Sequence, residues 1–205
     1  MDYLDKYFPE LDLSAKQLLH RYVAILSEKN QNINLISRKE TDVELHHIVH
    51  SLAISKVVKF KPGAQVLDLG TGGGLPGIPL AIIFPEVSFT LVDSIGKKVT
   101  ACKEMISELG LKNVRAVWAR AEDLDERYDF IVTRAVAKVE TLRVWTHKLL
   151  KNKHMHAIPN GILALKGGDL AEELASINKR EYYITPLHPL FNDSFFDGKL
   201  IVYIQ

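Results

Sequence analysis

The segment Gln65-Val66-Leu67-Asp68-Leu69-Gly70-Thr71-Gly72-Gly73-Gly74-Leu75-Pro76-Gly77 runs from apolar residues into glycines, and then into the helix-like Ile78-Pro79-Leu80. A strand, turn and helix of this kind puts bare backbone where a ligand can approach, because glycine tolerates positive φ and carries no Cβ. Twenty-three residues after Gly70, closing the apolar run Val87-Ser88-Phe89-Thr90-Leu91-Val92, comes Asp93. A carboxylate there can accept both hydroxyls of a ribose, so the layout suits an adenosine-containing cofactor.

Gly72-x-Gly74-x-x-Gly77 formally satisfies the dinucleotide fingerprint. Asp68 argues against that ligand, since a carboxylate two residues before the first glycine would face a pyrophosphate unfavourably. The same carboxylate suits the ammonium and sulfonium of S-adenosyl-L-methionine. Pro79 removes one amide that a phosphate could use. The residues favour S-adenosylmethionine. A nucleotide cofactor and a tight turn without a ligand stay open as alternatives.

Two further positions fall at expected carboxyl ends of strands, where open α/β sheets bind ligands. Ala121-Glu122-Asp123 offers an acid or an amide for an adenine edge, although acids also suit a helix N-terminus through the dipole. Arg134 ends the run Tyr128-Asp129-Phe130-Ile131-Val132-Thr133-Arg134-Ala135. A buried cation is unfavourable unless paired, which points to a ligand anion, with a structural ion pair as the other reading. On an α-helix His46 and His50 share a face and His47 neighbours His50. They lack a third acidic or cysteine ligand at a recognised spacing, so no metal is expected. There is no Asn-Pro-Pro-Tyr segment of the kind aminopurine methyltransferases use. The lone Cys102 excludes a two-cysteine pyrimidine mechanism, an internal disulfide and a multi-cysteine zinc site.

These residues need a scaffold. From Ala64 onward, β-branched runs alternate with amphipathic stretches, which predicts a seven-stranded, mostly parallel sheet with helices on both faces. Strands are expected near 65–69, 88–93, 114–118, 129–134, 162–166, 182–187 and 199–204, and helices over 78–84, 95–109, 138–150 and 169–178. Leu109-Gly110 reads as a helix stop. Pro186 to Gly198 lacks a helix pattern, which allows the last two strands to pair antiparallel at an edge. Before Lys61-Pro62-Gly63 the texture is helical. Ser14-Ala15-Lys16-Gln17 and Thr41-Asp42-Val43-Glu44 fit capping boxes. Leu18, Leu19, Tyr22, Val23 and Leu26 form one apolar face, and Leu45, Ile48, Val49, Leu52 and Val57 another. The polar stretch from Asn30 to Ser37 reads as a connector or short helix. The organisation expected is a helical extension over 1–62 packed on a core over 63–205.

Composition narrows the partners. The 205 residues are 47% hydrophobic and 25% charged, which suits a globular enzyme and excludes disorder. Twenty-six Lys and Arg against 25 Asp and Glu give +1, which excludes a polycation that coats nucleic acid by bulk charge. Between Lys138 and His156 there is a local excess: Lys138, Arg143, Lys148, Lys151 and Lys153 stand against Glu140 alone. That run is either a phosphate track or a solvated face. The first 13 residues carry Asp2, Asp5, Glu10 and Asp12 against Lys6, unlike a signal peptide. The longest mostly apolar run, Ile78 to Phe84, is far short of the roughly 20 residues of a membrane helix. One cysteine makes a reducing cytoplasm the default, and the expectation is a monomer with no membrane contact.

Asp68-Leu69-Gly70-Thr71-Gly72-Gly73-Gly74-Leu75-Pro76-Gly77-Ile78-Pro79, Thr133-Arg134-Ala135 and Ala164-Leu165-Lys166-Gly167 together resemble the RsmG (GidB) family of bacterial 16S ribosomal RNA guanine-N7 methyltransferases. Asn34-Leu35-Ile36-Ser37 and His47-Ile48-Val49-His50-Ser51-Leu52 are similar to two further segments of that family, so the resemblance covers about residues 20 to 170. It implies a class I, Rossmann-like methyltransferase fold and 16S ribosomal RNA or the small ribosomal subunit as partner. It also implies cofactor contacts at Gly70, Leu75, Ala121, Glu122 and Arg134. His50 stands where the family usually has Asp, Lys199 where an Arg is common, and Lys151 to Asn160 replaces a short glycine-rich turn. Guanine N7 carries a free lone pair and sulfonium is a good leaving group, so no general base is required and positioning dominates. That accords with the absence of an obvious acid–base pair and leaves the catalytic residue unassigned, with Arg134 as a candidate. The competing readings are a catalytically silent adenosine- or RNA-binding module and a nucleotide-dependent oxidoreductase.

Overall fold

The computed structural model describes residues 2–37, 42–175 and 177–205. The apolar runs form β1 (Gln65–Leu69), β2 (Ser88–Asp93), β3 (Val114–Trp118), β4 (Phe130–Arg134), β5 (Gly161–Gly167), β6 (Tyr182–Pro186) and β7 (Lys199–Ile204). Their order in the sheet is β3-β2-β1-β4-β5-β7-β6. The first five are parallel, and β7 runs antiparallel to both β5 and β6. The expected antiparallel pair is therefore present, with the last strand inserted inside the edge. β1, β2 and β4 are buried along nearly their whole length. Strands covered on both faces read as continuous apolar runs, which is why their positions were legible.

Helices cover both faces. Before β1 come α1 (Tyr3–Tyr7), α2 (Leu13–Asn30), a π-helical turn over Glu44–Val49, α3 (His50–Leu52) and α4 (Ile54–Val57). After it come α5 (Gly77–Ile83), α6 (Gly96–Leu109), α7 (Val139–Thr146), α8 (Ala171–Leu174) and α9 (His188–Phe191). α2 buries Ala15, Leu19, Tyr22, Ile25 and Leu26, spaced by three and four residues. Leu19 and Leu26 are wholly buried, each contributing about 1.5–3 kcal/mol relative to exposure. These side chains join Val66, Phe89, Phe130 and Leu163 of the sheet in one apolar cluster. The opposite face gathers Leu67, Val92, Ile131 and Ala164 with Leu142 of α7 and Leu174 of α8.

Several expected boundaries move. α2 starts at Leu13 because the Asp12 carboxylate accepts from Ala15 N at 2.7 Å, so Ser14 lies inside the first turn instead of capping it. Thr41, the head of the second expected box, lies outside the described residues; Asp42 Oδ1 accepts from Leu45 N at 2.9 Å. α7 ends at Thr146, four residues early. The backbone of Tyr128 pairs with Leu149 O at 2.7 Å and Lys151 N at 2.9 Å, drawing the chain out of helix. α8 likewise ends at Leu174 instead of near 178. The stretch from Pro186 to Gly198 holds α9 and a 3-10 turn at Ser194–Phe196, both too short to show periodicity. Phe191 and Phe196 nevertheless reach the core. Gly110, at φ 70°, ends α6 as expected.

Candidate active site

The strand order reverses between β1 and β4, since the chain steps outward through β2 and β3 and returns on the other side of β1. Helices diverge at such a point and leave a crevice beyond the carboxyl ends of the strands. There the structure has a cavity of about 980 Å³. Its walls bring together Gly70, Leu75, Asp93, Ala121, Glu122 and Arg134 from separate loops. Asp68 is absent from the walls.

The glycine loop is held from three sides. Gly70 (φ +68°) and Gly72 (φ +56°) occupy the left-handed region that favours glycine, and a Cβ on Gly70 would fall 2.4 Å from Val136 Cγ2. Asp93 Oδ2 accepts from Gly72 N at 3.0 Å and Oδ1 from Ile95 N at 2.9 Å. Each of its oxygens keeps a second lone pair for a ligand. Tyr22 Oη donates to Gly73 O at 2.7 Å, and Cys102 Sγ contacts Gly72 O at 3.4 Å. Burial pushes the Cys102 thiol far up, which makes it an inert packing group.

Asp68 sits beneath this loop with no solvent exposure. Its Oδ2 accepts from Thr71 Oγ1 at 2.5 Å and Gly77 N at 2.8 Å, bracing the loop at both ends. Its Oδ1 is buried with no hydrogen-bond partner. Burial raises the carboxyl to about 7, against the hydrogen bonds from Thr71 and Gly77 and the charge of Arg134. An orphaned carboxylate oxygen beneath a glycine cradle, with Asp93 at the cradle's rim, fits a cationic adenosine derivative better than an anionic dinucleotide.

Arg134 emerges half-buried from β4, followed by Ala135 at φ 55°, a strained backbone for a residue with a Cβ. Arg134 Nη1 donates to His46 O at 3.2 Å. The carbonyl comes from the π-helical turn, a distortion that accumulates at functional sites. His46 stacks on Phe195, with ring centroids 4.1 Å apart, and His50 meets the same ring edge-on at 5.7 Å. The expectation that these two histidines share a side holds. Burial, then repulsion from Arg134, lowers His47 to about 3 and His50 well below 6.5, so both are neutral at pH 7. Among the described residues, the one group of three metal-type side chains within 4.8 Å is Asp2, His20 and Glu44, apart from these histidines.

Sequence reading missed several wall residues. Phe195 and Lys199 close one side, where Lys199 Nζ lies 3.7 Å from the Phe195 ring centroid. Trp145 and Lys166 close another, with Lys166 bonded at 2.5 Å to both Ala137 O and Glu173 Oε1. Of these, only Lys166 and Lys199 stood in motifs already noted. The expected basic run breaks up in space. Lys151 pairs with the buried Asp129 at 2.9 Å and Arg143 with Glu181 at 2.7 Å. Leu150 bridges to Tyr128, ahead of β4, so Lys151 and Lys153 lie toward the end of the sheet away from the cavity.

The sheet order, its antiparallel β7 and the crevice at the switch point define the class I, Rossmann-like methyltransferase fold. A S-adenosylmethionine-dependent methyltransferase from Aquifex aeolicus is similar in structure, with a TM-score of 0.60 at 14% identity over 89% of this chain and 97% of that one. The model of the GidB family, rRNA small subunit methyltransferase G, matches residues 15–195, and the chain belongs to that family. Among its relatives is the ribosomal RNA small subunit methyltransferase G of Flavobacterium johnsoniae, 46% identical over 100% of this chain and 97% of that protein. The protein of the same description from Porphyromonas gingivalis is 45% identical over 98% of this chain and 91% of its own length. No helix among the described residues is long and apolar enough to cross a membrane.

Proposed function

We propose that this chain transfers the methyl group of S-adenosylmethionine to a guanine N7 of 16S ribosomal RNA in the small ribosomal subunit. The observation that carries the reading is the convergence of the glycine loop, Asp93, Ala121-Glu122 and Arg134 on one cavity at the strand-order reversal. Membership of the GidB family supports the substrate.

When bound, the cofactor supplies an electrophilic methyl on a sulfonium, with a neutral thioether as leaving group. Asp93 would hold the ribose, Ala121-Glu122 the adenine edge, and the loop from Gly70 to Leu75 the methionyl part. Asp68, beneath the loop, would keep it in shape through Thr71 and Gly77, while Arg134 would take the carboxylate. No side chain needs to remove a proton from the nucleophile, because guanine N7 is unprotonated at neutral pH. The chain's work is to fix the two reactants in line and exclude water. The neutral His47 and His50 add no further cation to the wall that carries Arg134 and Lys199.

The deciding experiment is transfer of labelled methyl to small subunits and to deproteinised 16S RNA, followed by mapping of the modified base. Label on a single guanine N7 is the expected result. Label elsewhere, or tight binding of NAD in place of S-adenosylhomocysteine, overturns it.

A further inference from the structure

The rim of the cavity beyond β3 carries a feature that cofactor binding leaves unused. Trp118, the last residue of β3, is 71% exposed. Its place in the strand puts it on the face of the buried Val114 and Ala116, which α6 covers. α6 begins only at Gly96, so that cover runs out at Trp118. The indole is nonetheless fixed. Nε1 donates to Ser94 O at 3.0 Å, and the six-membered ring lies over Gly96, where a Cβ would meet Cδ2 and Cε2 at 3.4 Å. One face of the ring is backed, and most of the side chain is open to solvent.

Cations surround it in sequence and at the rim. Lys97 and Arg120 are exposed and Lys98 is half-buried, and Lys98 and Arg120 line the cavity. None of the three pairs with a carboxylate among the described residues. Glu122 and Asp123 follow in the chain and bound the strip. A rigid indole among unpaired cations is the chemistry of single-stranded nucleic acid binding, in which bases stack on aromatic faces and phosphates meet Lys and Arg.

We propose that Trp118 is a stacking platform for an unpaired RNA base, with Lys97, Lys98 and Arg120 taking the adjoining phosphates. The inference rests on the RNA reading above and adds the surface that binds the substrate. β3 and β4 are three strand spacings apart, roughly 14 Å. The stacked base is therefore a neighbour of the one that reaches Arg134, and Trp118 is a positioning residue.

Steady-state methyl transfer to small-subunit RNA, with KM resolved for RNA and for S-adenosylmethionine, tests this in Trp118→Ala and Trp118→Phe. The alanine variant should raise the RNA KM about tenfold with the cofactor KM unchanged, and phenylalanine should restore most of the loss. In a Trp145→Phe background the remaining indole emission should be quenched by an RNA hairpin, and less so at high salt. An RNA KM within twofold of wild type, a parallel loss of cofactor binding, or unquenched emission overturns the platform. If wild type methylates no RNA the function itself fails, and quenching by the hairpin still decides whether this surface binds RNA.

Discussion

The hydroxyl of Tyr22 donates to the carbonyl of Gly73 at 2.7 Å, tying α2 to the glycine loop across 51 positions of sequence. The ring is wholly buried, and Leu26 and Leu35 stand so close to Gly73 that a Cβ there would meet them at 2.9 and 3.2 Å. The N-terminal helices thus form the underside of the cofactor loop as well as covering the sheet.

Tyr22→Phe keeps the ring and removes the donor, leaving a buried carbonyl unsatisfied at a cost of about 1–3 kcal/mol. Thermal denaturation should show Tm falling by roughly 2–4 °C for each kcal/mol lost. Calorimetry should show weaker S-adenosylhomocysteine binding, since the loop is less well held. An unchanged Tm would mean that the hydrogen bond contributes nothing.

Asp93 acts on the loop and on the ligand together. Asp93→Ala deletes the acceptors of Gly72 N and Ile95 N and the proposed ribose contacts, each charge-assisted bond contributing about 1.5–3 kcal/mol. The Kd for S-adenosylhomocysteine should rise at least about tenfold, and less in Asp93→Asn, which keeps one acceptor. Affinity within twofold of wild type in both variants would refute the placement.

The seven strands and the glycine loop were legible because their signals are local: continuous apolar runs, glycines at fixed offsets and an acid at a strand end. What stayed hidden depends on distant chain segments. Nothing near Phe195 marks it as the partner of His46, 149 positions away, because the turn that carries it is three residues long. The basic run, open to reading as a phosphate track or a solvated face, stayed ambiguous for the opposite reason. Sequence proximity of Lys138 and Lys153 concealed that β4 and α7 lead toward opposite ends of the sheet. Asp68 was recognised as important from its spacing, but its bonds to Thr71 and Gly77 needed the folded loop.

The Asp68 carboxyl, raised from 3.8 to about 7 mainly by burial, gives a pH dependence of defined sign. The folded protein holds this proton more tightly than the unfolded chain, so stability falls as pH rises from about 4 to 7, by up to ~1.4 kcal/mol per pH unit. Asp68→Asn, neutral throughout, should lack that component. Its Tm relative to wild type should climb across this window, measured without ligand. A Tm difference that is flat with pH would show that Asp68 titrates normally.

Arg134 can hold the cofactor carboxylate or an RNA phosphate, and its bond to His46 O gives it a structural role besides. A cation beside a sulfonium is unfavourable unless an anion lies between them, and the cofactor carboxylate is the anion at hand. Arg134→Ala should therefore weaken S-adenosylhomocysteine binding at least about tenfold. Arg134→Lys should recover only part, because an ammonium cannot reproduce the planar fork that grips a carboxylate. If RNA phosphate is the partner instead, both variants will bind the ligand normally, and methyl transfer will fall with a shallower salt dependence. Unchanged affinity and turnover with a lowered Tm would leave Arg134 only its tie to the π-helical turn.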